Sequence, residues 1–177
     1  MDFEKQTKDD LHRFLHAVGR VDEKLPECID LEEIWPDVEE AYLPDGVREY
    51  GGYPVVSLGW MMFVGMAMAK YWDEDWPAFS EEGGAAIYRR LRDARGYDNM
   101  DEYILQEVLG LSGDEEEKMS KTVGECAARV HHALLTSGIA PGTKAAVEAY
   151  IAALHSLYTL GVALELNALG YHMTKLG

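Results

Sequence analysis

Residues 54–69 read PVVSLGWMMFVGMAMA and residues 149–164 read AYIAALHSLYTLGVAL, two runs of 16 residues without a charge. A helix made from either run is apolar nearly all round, so it has no solvent face and belongs inside a packed structure. Sixteen residues fall short of the roughly 20 that a membrane-spanning helix needs. Lys70, Asp73, Glu74 and Asp75 follow the first run directly. The expectation is therefore a central pair of helices, over about 54–76 and 143–172, in a bundle with no membrane span. Gly59, Gly65 and Gly161 lie inside this pair, where each glycine costs about 1 kcal/mol relative to alanine. Close approach of the helices is the gain that offsets it.

The helical period extends outward in both directions. Leu11, Phe14, Leu15 and Val18 share one face of a helix over about 3–20. Asp30-Leu31-Glu32-Glu33 has the form of a capping box, opening a helix that must kink or begin afresh at Pro36. Pro44-Asp45-Gly46 reads as a turn. Pro54 suits a first helical position, and Pro77 reads as a stop. Ser80 can cap a helix to Arg95, and a short helix fits about 99–110. A second capping box, Ser112-Gly113-Asp114-Glu115, opens a helix to Ser137. There Met119, Val123, Cys126, Val130, Ala133 and Ser137 recur at spacings of four and three, a bundle seam that accounts for the cysteine by packing. No alternating strand pattern appears. These readings make one all-α domain over residues 1–177, a bundle of six or seven helices.

Composition narrows the function. A chain of 177 residues with 47% hydrophobic residues can bury a full core, and two cysteines exclude a disulfide scaffold. The opening MDFEKQTKDDLHRF has no apolar stretch like that of a signal peptide, which leads to a cytoplasmic expectation. The net charge of −16 argues against nucleic acid and against an anionic membrane. That charge is uneven: residues 22–49 hold eleven acids against two bases, 73–82 add five acids and 98–117 add eight, with no base in either. Arg89, Arg90, Arg92 and Arg95 form the one basic cluster between them, and they are expected to answer the acids at 73–75.

Few residues suggest chemistry. Trp72 and Trp76, one turn apart, could form with Asp73 and Asp75 an aromatic–acidic cage for an amine. Glu165 is the only formal charge within 149–174, and a carboxylate there must find donors or keep a proton. Tyr158 and His172 lie seven residues to either side on one stripe, and His155 lies on a second. His12 with His16, and His131 with His132, fall roughly 110–150° from their apolar faces, which turns all four toward solvent. No catalytic residue, metal site or cofactor motif is assigned, and phosphate-cradling glycine loops and nucleophile elbows are absent. The leading expectation is a non-enzymatic acidic interaction or regulatory module with a basic protein partner, self-association being compatible with it. The alternative is a bundle binding a small apolar or amine ligand in a pocket beside Glu165, bordered by His155 and Tyr158, and acting as an enzyme in one version.

Overall fold

The computed structural model describes residues 2–172 and the backbone of 175–176. Nine α-helices are present among the described residues, two more than the upper expectation, because proline and glycine divide segments that read as continuous. Helix α1 (Phe3–Ala17) is followed by a loop, a two-residue strand β1 (Glu27–Cys28) and the short α2 (Ile29–Glu33). Pro36 then begins a new helix, α3 (Trp35–Gly52), in its first turn. Helices α4 (Pro54–Glu74), α5 (Trp76–Glu82) and α6 (Gly84–Arg95) succeed one another with single-residue breaks. A 3-10 turn over 97–99, α7 (Met100–Tyr103) and a π turn over 104–108 lead to α8 (Gly113–Leu135) and α9 (Lys144–Ala168). Strand β2 (Lys175–Leu176) pairs in parallel with β1, the one strand pairing that the sequence pattern does not announce.

Three local expectations are corrected. Pro44-Asp45-Gly46 is not a turn: it lies inside α3, with Asp45 and Gly46 buried. Proline removes only one helical hydrogen bond and bends the helix, and packing from three neighbouring helices compensates here. Pro77 does not end a helix but occupies the first turn of α5, a position where a missing N–H costs nothing. Ser80 consequently lies inside α5, and Gly83, with φ of +84°, separates α5 from α6. Ser112 does precede α8, and Thr143 caps α9 through a 3.1 Å bond from the Ala146 N–H.

Helices α4 and α9 form the centre and run in the same direction. Ser57 meets Tyr150 near their starts, Gly65 meets Tyr158 midway, and Tyr171, just past α9, reaches Asp73 in the last turn of α4. Every residue of α4 from Ser57 to Ala69 is buried except Trp60. Both helices, at 21 and 25 residues, are long and apolar enough to cross a membrane, yet 67% of each apolar window is buried against the rest of the chain. The contact between them is reciprocal: a Cβ on Gly65 would collide with the carbonyl of Tyr158, and one on Gly161 with the carbonyl of Met62. Gly59 differs, since its Cβ would meet Val123 and Ala127 of α8 at an ordinary 3.5 Å. Helix α8 covers the pair with Met119, Val123, Cys126, Ala127 and Val130, all on the expected seam or beside it. Burial pushes the Cys126 thiol up to about 12, consistent with a packing role.

Gly65→Ala and Gly161→Ala are each expected to destabilise the fold by about 2–3 kcal/mol or more, since the obstacle is backbone that cannot step aside. Gly59→Ala is expected to be neutral or stabilising by up to about 1 kcal/mol, through helix propensity. Urea unfolding followed by far-ultraviolet dichroism separates the two outcomes.

Candidate functional site

The eight candidate residues are scattered and do not gather at one site. Tyr158 is fully buried, and its hydroxyl donates a 2.6 Å bond to the Leu31 carbonyl. Trp35 stacks on His155 at 4.8 Å and leans on Tyr158 at 5.0 Å, so the two candidates of α9 share one indole. His155 Nδ1 meets Glu4 Oε1 at 2.7 Å, and its Nε2 meets Glu32 Oε1 in a still shorter contact. Burial works against a charged ring here, but the bond and charge of Glu32, with Glu4 behind it, outweigh that and raise the imidazole pKa. Burial likewise opposes ionisation of Glu32, and the hydrogen bond and charge of His155 bring its carboxyl down. The result is an imidazolium clamp that ties α1 and α2 to α9. With both nitrogens occupied, His155 has neither a lone pair for a metal nor a free site for proton transfer.

The tryptophan–aspartate cage does not assemble. Trp72 donates to Asp30 Oδ2 at 3.0 Å and packs edge-on against Tyr171, while Asp73 accepts from the Tyr171 hydroxyl at 2.7 Å. Helix α4 ends at Glu74, so Asp75 lies past its last turn and serves as the N-cap of α5, accepting from the Ala78 N–H at 3.1 Å. Trp76 is left 49% exposed on that next helix. The arginines do not answer this cluster either. Arg90 grips Glu82 through two bonds of 2.9 and 2.8 Å. Arg92 reaches Asp93 and Asp45, and Arg95 reaches Glu107 and Gln106. Lys70 is the cation that sits with the C-terminal acids, 3.6 Å from Glu74.

Glu165 is only 7% exposed, and no described side chain donates a hydrogen bond to it. Burial drives its carboxyl up to about 7, moderated by the charge of Lys70 and reinforced by that of Asp73. Of the two solutions open to a buried carboxylate, its surroundings favour the second, a proton held up to about pH 7. It lies on the Lys70–Asp73 side of α9, away from the His155–Trp35 stack, and it lines none of the three principal clefts. His172 meets Asp22 Oδ2 at 2.7 Å, so it belongs to the loop after α1. The three residues of the expected pocket, Glu165, His155 and Tyr158, line none of these clefts.

The histidines expected to face solvent are partly engaged, and one polar network escaped the sequence reading. His12 Nε2 and His16 Nδ1 are not simply solvated: they meet the carbonyls of Asp22 at 2.9 Å and Val21 at 3.1 Å and fasten the loop after α1. His131 is half-buried, edge-on to Tyr50 at 6.1 Å. Behind Pro44, Asp45 accepts from Tyr88 at 2.7 Å and from Arg48 and Arg92 at 3.3 Å each. Next to it the Ser57 hydroxyl joins the Gly46 carbonyl to Tyr150, and Tyr42 joins the Ser57 carbonyl to Tyr97. This network links α3, α4, α6 and α9, and each member is satisfied, as a buried polar cluster must be. The buried charge of Asp45 beside a proline inside a helix was the available signal, concealed by the turn-like tripeptide. The Thr159 hydroxyl is the exception, a buried polar atom without a partner at the edge of a cleft of about 990 Å³ that is bordered by Lys8, Glu23 and Lys24.

Among the described residues, no group of three or more His, Cys, Asp or Glu is arranged to hold a metal ion. Comparison with known protein families, with curated proteins and with solved structures finds no match to this chain.

Two titrations are expected to give the stability a pH dependence. Glu165, raised from 4.5 to about 7, is protonated in the fold and ionised in the unfolded chain between those values. Stability is therefore lost as pH rises through that range, by about 3 kcal/mol in all. Glu165→Gln is expected to remove this decline, leaving the variant more stable than the parent at pH 8 and similar at pH 5 in urea titrations.

The His155–Glu32 clamp has its own window. The raised His155 contributes fully below about 6.5 and fades as pH rises through its folded value, while the lowered Glu32 contributes above about 4.5 and fades as pH falls. His155→Gln is expected to lower stability most between those two values, and the imidazole proton resonances should titrate above the ordinary histidine range.

Proposed function

We propose that the chain is a non-enzymatic, cytoplasmic interaction module whose acidic helical surface docks a basic face of a protein partner. One observation carries the reading. Arg90, Arg92 and Arg95, the central bases of the only basic cluster, are bound to the protein's own acids, so they leave the acids around them uncompensated. Asp73, Glu81, Asp98, Asp101, Glu102, Asp114 and Glu115 make no ion pair with a basic side chain among the described residues. Such a surface repels phosphate and attracts Lys- or Arg-rich surfaces, raising the rate of encounter more than the lifetime of the complex.

The groups of α9 first considered for acid–base chemistry are either structurally occupied or closed off from the clefts, which favours binding over catalysis. His155 is clamped, Tyr158 is spent on a carbonyl, and Glu165 opens on none of the principal clefts. A ligand pocket beside Glu165 consequently has less support than the acidic surface.

Capture from lysate by the purified chain is expected to recover a Lys- or Arg-rich protein at about 50 mM salt and to lose most of it at about 500 mM. Chemical cross-links from that partner should fall on segments 73–82 and 98–117. Asp98→Asn combined with Glu102→Gln and Glu115→Gln is expected to weaken association several-fold and flatten its salt dependence. The fold should be altered by no more than about 1 kcal/mol, since these side chains are exposed and unpaired. Association indifferent to both salt and the triple variant would defeat the reading.

A further inference from the structure

The acidic surface is interrupted at one end of the bundle. A cleft of about 510 Å³ opens between the second half of α3, the last turn of α8, the 136–143 turn and the first turns of α9. No Asp, Glu, Lys or Arg lines it, in a chain whose net charge is −16. The cleft near Thr159 is the opposite, bordered by lysines and glutamates. Val47, Leu135 and Val147 form the mouth of the uncharged cleft and are 56%, 69% and 54% exposed.

Its polar complement is small and specific. The Tyr150 hydroxyl is taken by Ser57 at 2.5 Å, so that ring presents only its carbon face. Tyr50 packs edge-on against Tyr150 at 5.0 Å and against His131 at 6.1 Å. Neither the Tyr50 hydroxyl nor the His131 ring has a hydrogen-bond partner among the described residues, and both line the cleft. Thus an apolar cavity holds two adjacent polar groups with unused capacity.

We propose that this cleft binds a small, uncharged, mainly apolar molecule with one hydrogen-bonding head, of the alcohol, phenol or ketone class, set between Tyr50 and His131. The volume lies within the range of roughly 300–1,000 Å³ typical of small-molecule sites. The absence of formal charge in the lining selects against ions, because the site offers them no counter-charge. A second copy of the chain fits less well. A stable interface needs about 800 Å² from each partner, and three mouth side chains flanked by Arg48, Lys144 and Glu148 fall short of that. The site is independent of the acidic surface, so either proposal can fail without the other.

The test is equilibrium titration of the full chain with the neutral fluorophore N-phenyl-1-naphthylamine, followed by displacement with a series of neutral alcohols and phenols. Saturable binding at one site per chain, unchanged between about 50 and 500 mM salt, is expected. Ala146→Phe, which fills the cleft, should weaken it at least tenfold. Leu135→Lys, which places a charge at an exposed position on the mouth, should weaken it several-fold without threatening the fold. Tyr50→Phe should reduce displacement by phenols while leaving the affinity of the fluorophore nearly unchanged. Binding that is absent, or that survives both Ala146→Phe and Leu135→Lys, would overturn the proposal. So would sedimentation showing a dimer that Leu135→Lys dissolves, which would assign the cleft to a second copy.

Discussion

The carbonyls of Met62 and Tyr158 occupy the places where side chains would stand on Gly161 and Gly65. This mutual intrusion of two backbones sets the axis of the molecule. Because α4 and α9 touch at main-chain distance, their remaining faces are presented to the outer helices at fixed angles, and almost the whole length of α4 is sealed. Tyr158 next to the crossing is thereby aimed at the Leu31 carbonyl, and Trp35 is trapped between it and His155. The clamp on Glu4 and Glu32 then fastens the N-terminal elements onto the central pair. A side chain at either glycine would act on all these contacts together, which is why the crossing dominates the energetics.

Polar groups inside this frame follow two different rules. At the start of α4 the buried side chains of Tyr42, Ser57 and Tyr150 all find partners, and the Asp45 charge is met by Tyr88, Arg48 and Arg92. At the far end Glu165 finds no donor and remains protonated to about pH 7. The difference follows from what the neighbouring helices supply. Helices α3 and α6 bring tyrosines and arginines to one end, whereas the other end offers mainly Lys70, which also serves Glu74.

Much of the frame was legible in the chain because it rests on periodicity. Two uncharged runs announce the central pair, and the four-three spacing from Met119 to Val130 announces the helix that covers it. Gly65 and Gly161 could be read as contact points, though the same argument applied to Gly59 leads only to an ordinary packing distance. The site was less legible, because it depends on which helices meet. Nothing in the spacing of Arg89 to Arg95 distinguishes Asp73–Asp75 from Glu82, Asp45 and Glu107 as partners, and tertiary placement decided for the second set. Pro44-Asp45-Gly46 misled for a related reason: its residues favour a turn locally, and burial under Tyr42, Tyr88 and Tyr150 overrides that preference. The uncharged cleft could not be read at all, since its walls come from three helices and a turn that are brought together only by the fold.

The same-direction pairing of α4 and α9 has a consequence for how the chain reaches its structure. Two parallel neighbours cannot be joined by a tight hairpin, and here the whole of α5 to α8 lies between them. The contact that organises the core is therefore among the most distant in sequence, and long-range contacts of this kind form slowly because a large loop must close first. During synthesis α4, one of the two strongly apolar helices, leaves the ribosome well before its partner has been made. Helices α3 and α5 to α8 can pack on it as they are made, but the face that α9 will cover stays open until α9 emerges. A nascent chain in that state presents a nearly uncharged helix to its surroundings, the kind of surface that aggregates or engages a chaperone. The strongly acidic segments on both sides of it then act as solubilising flanks, keeping the half-made chain dispersed until α9 arrives.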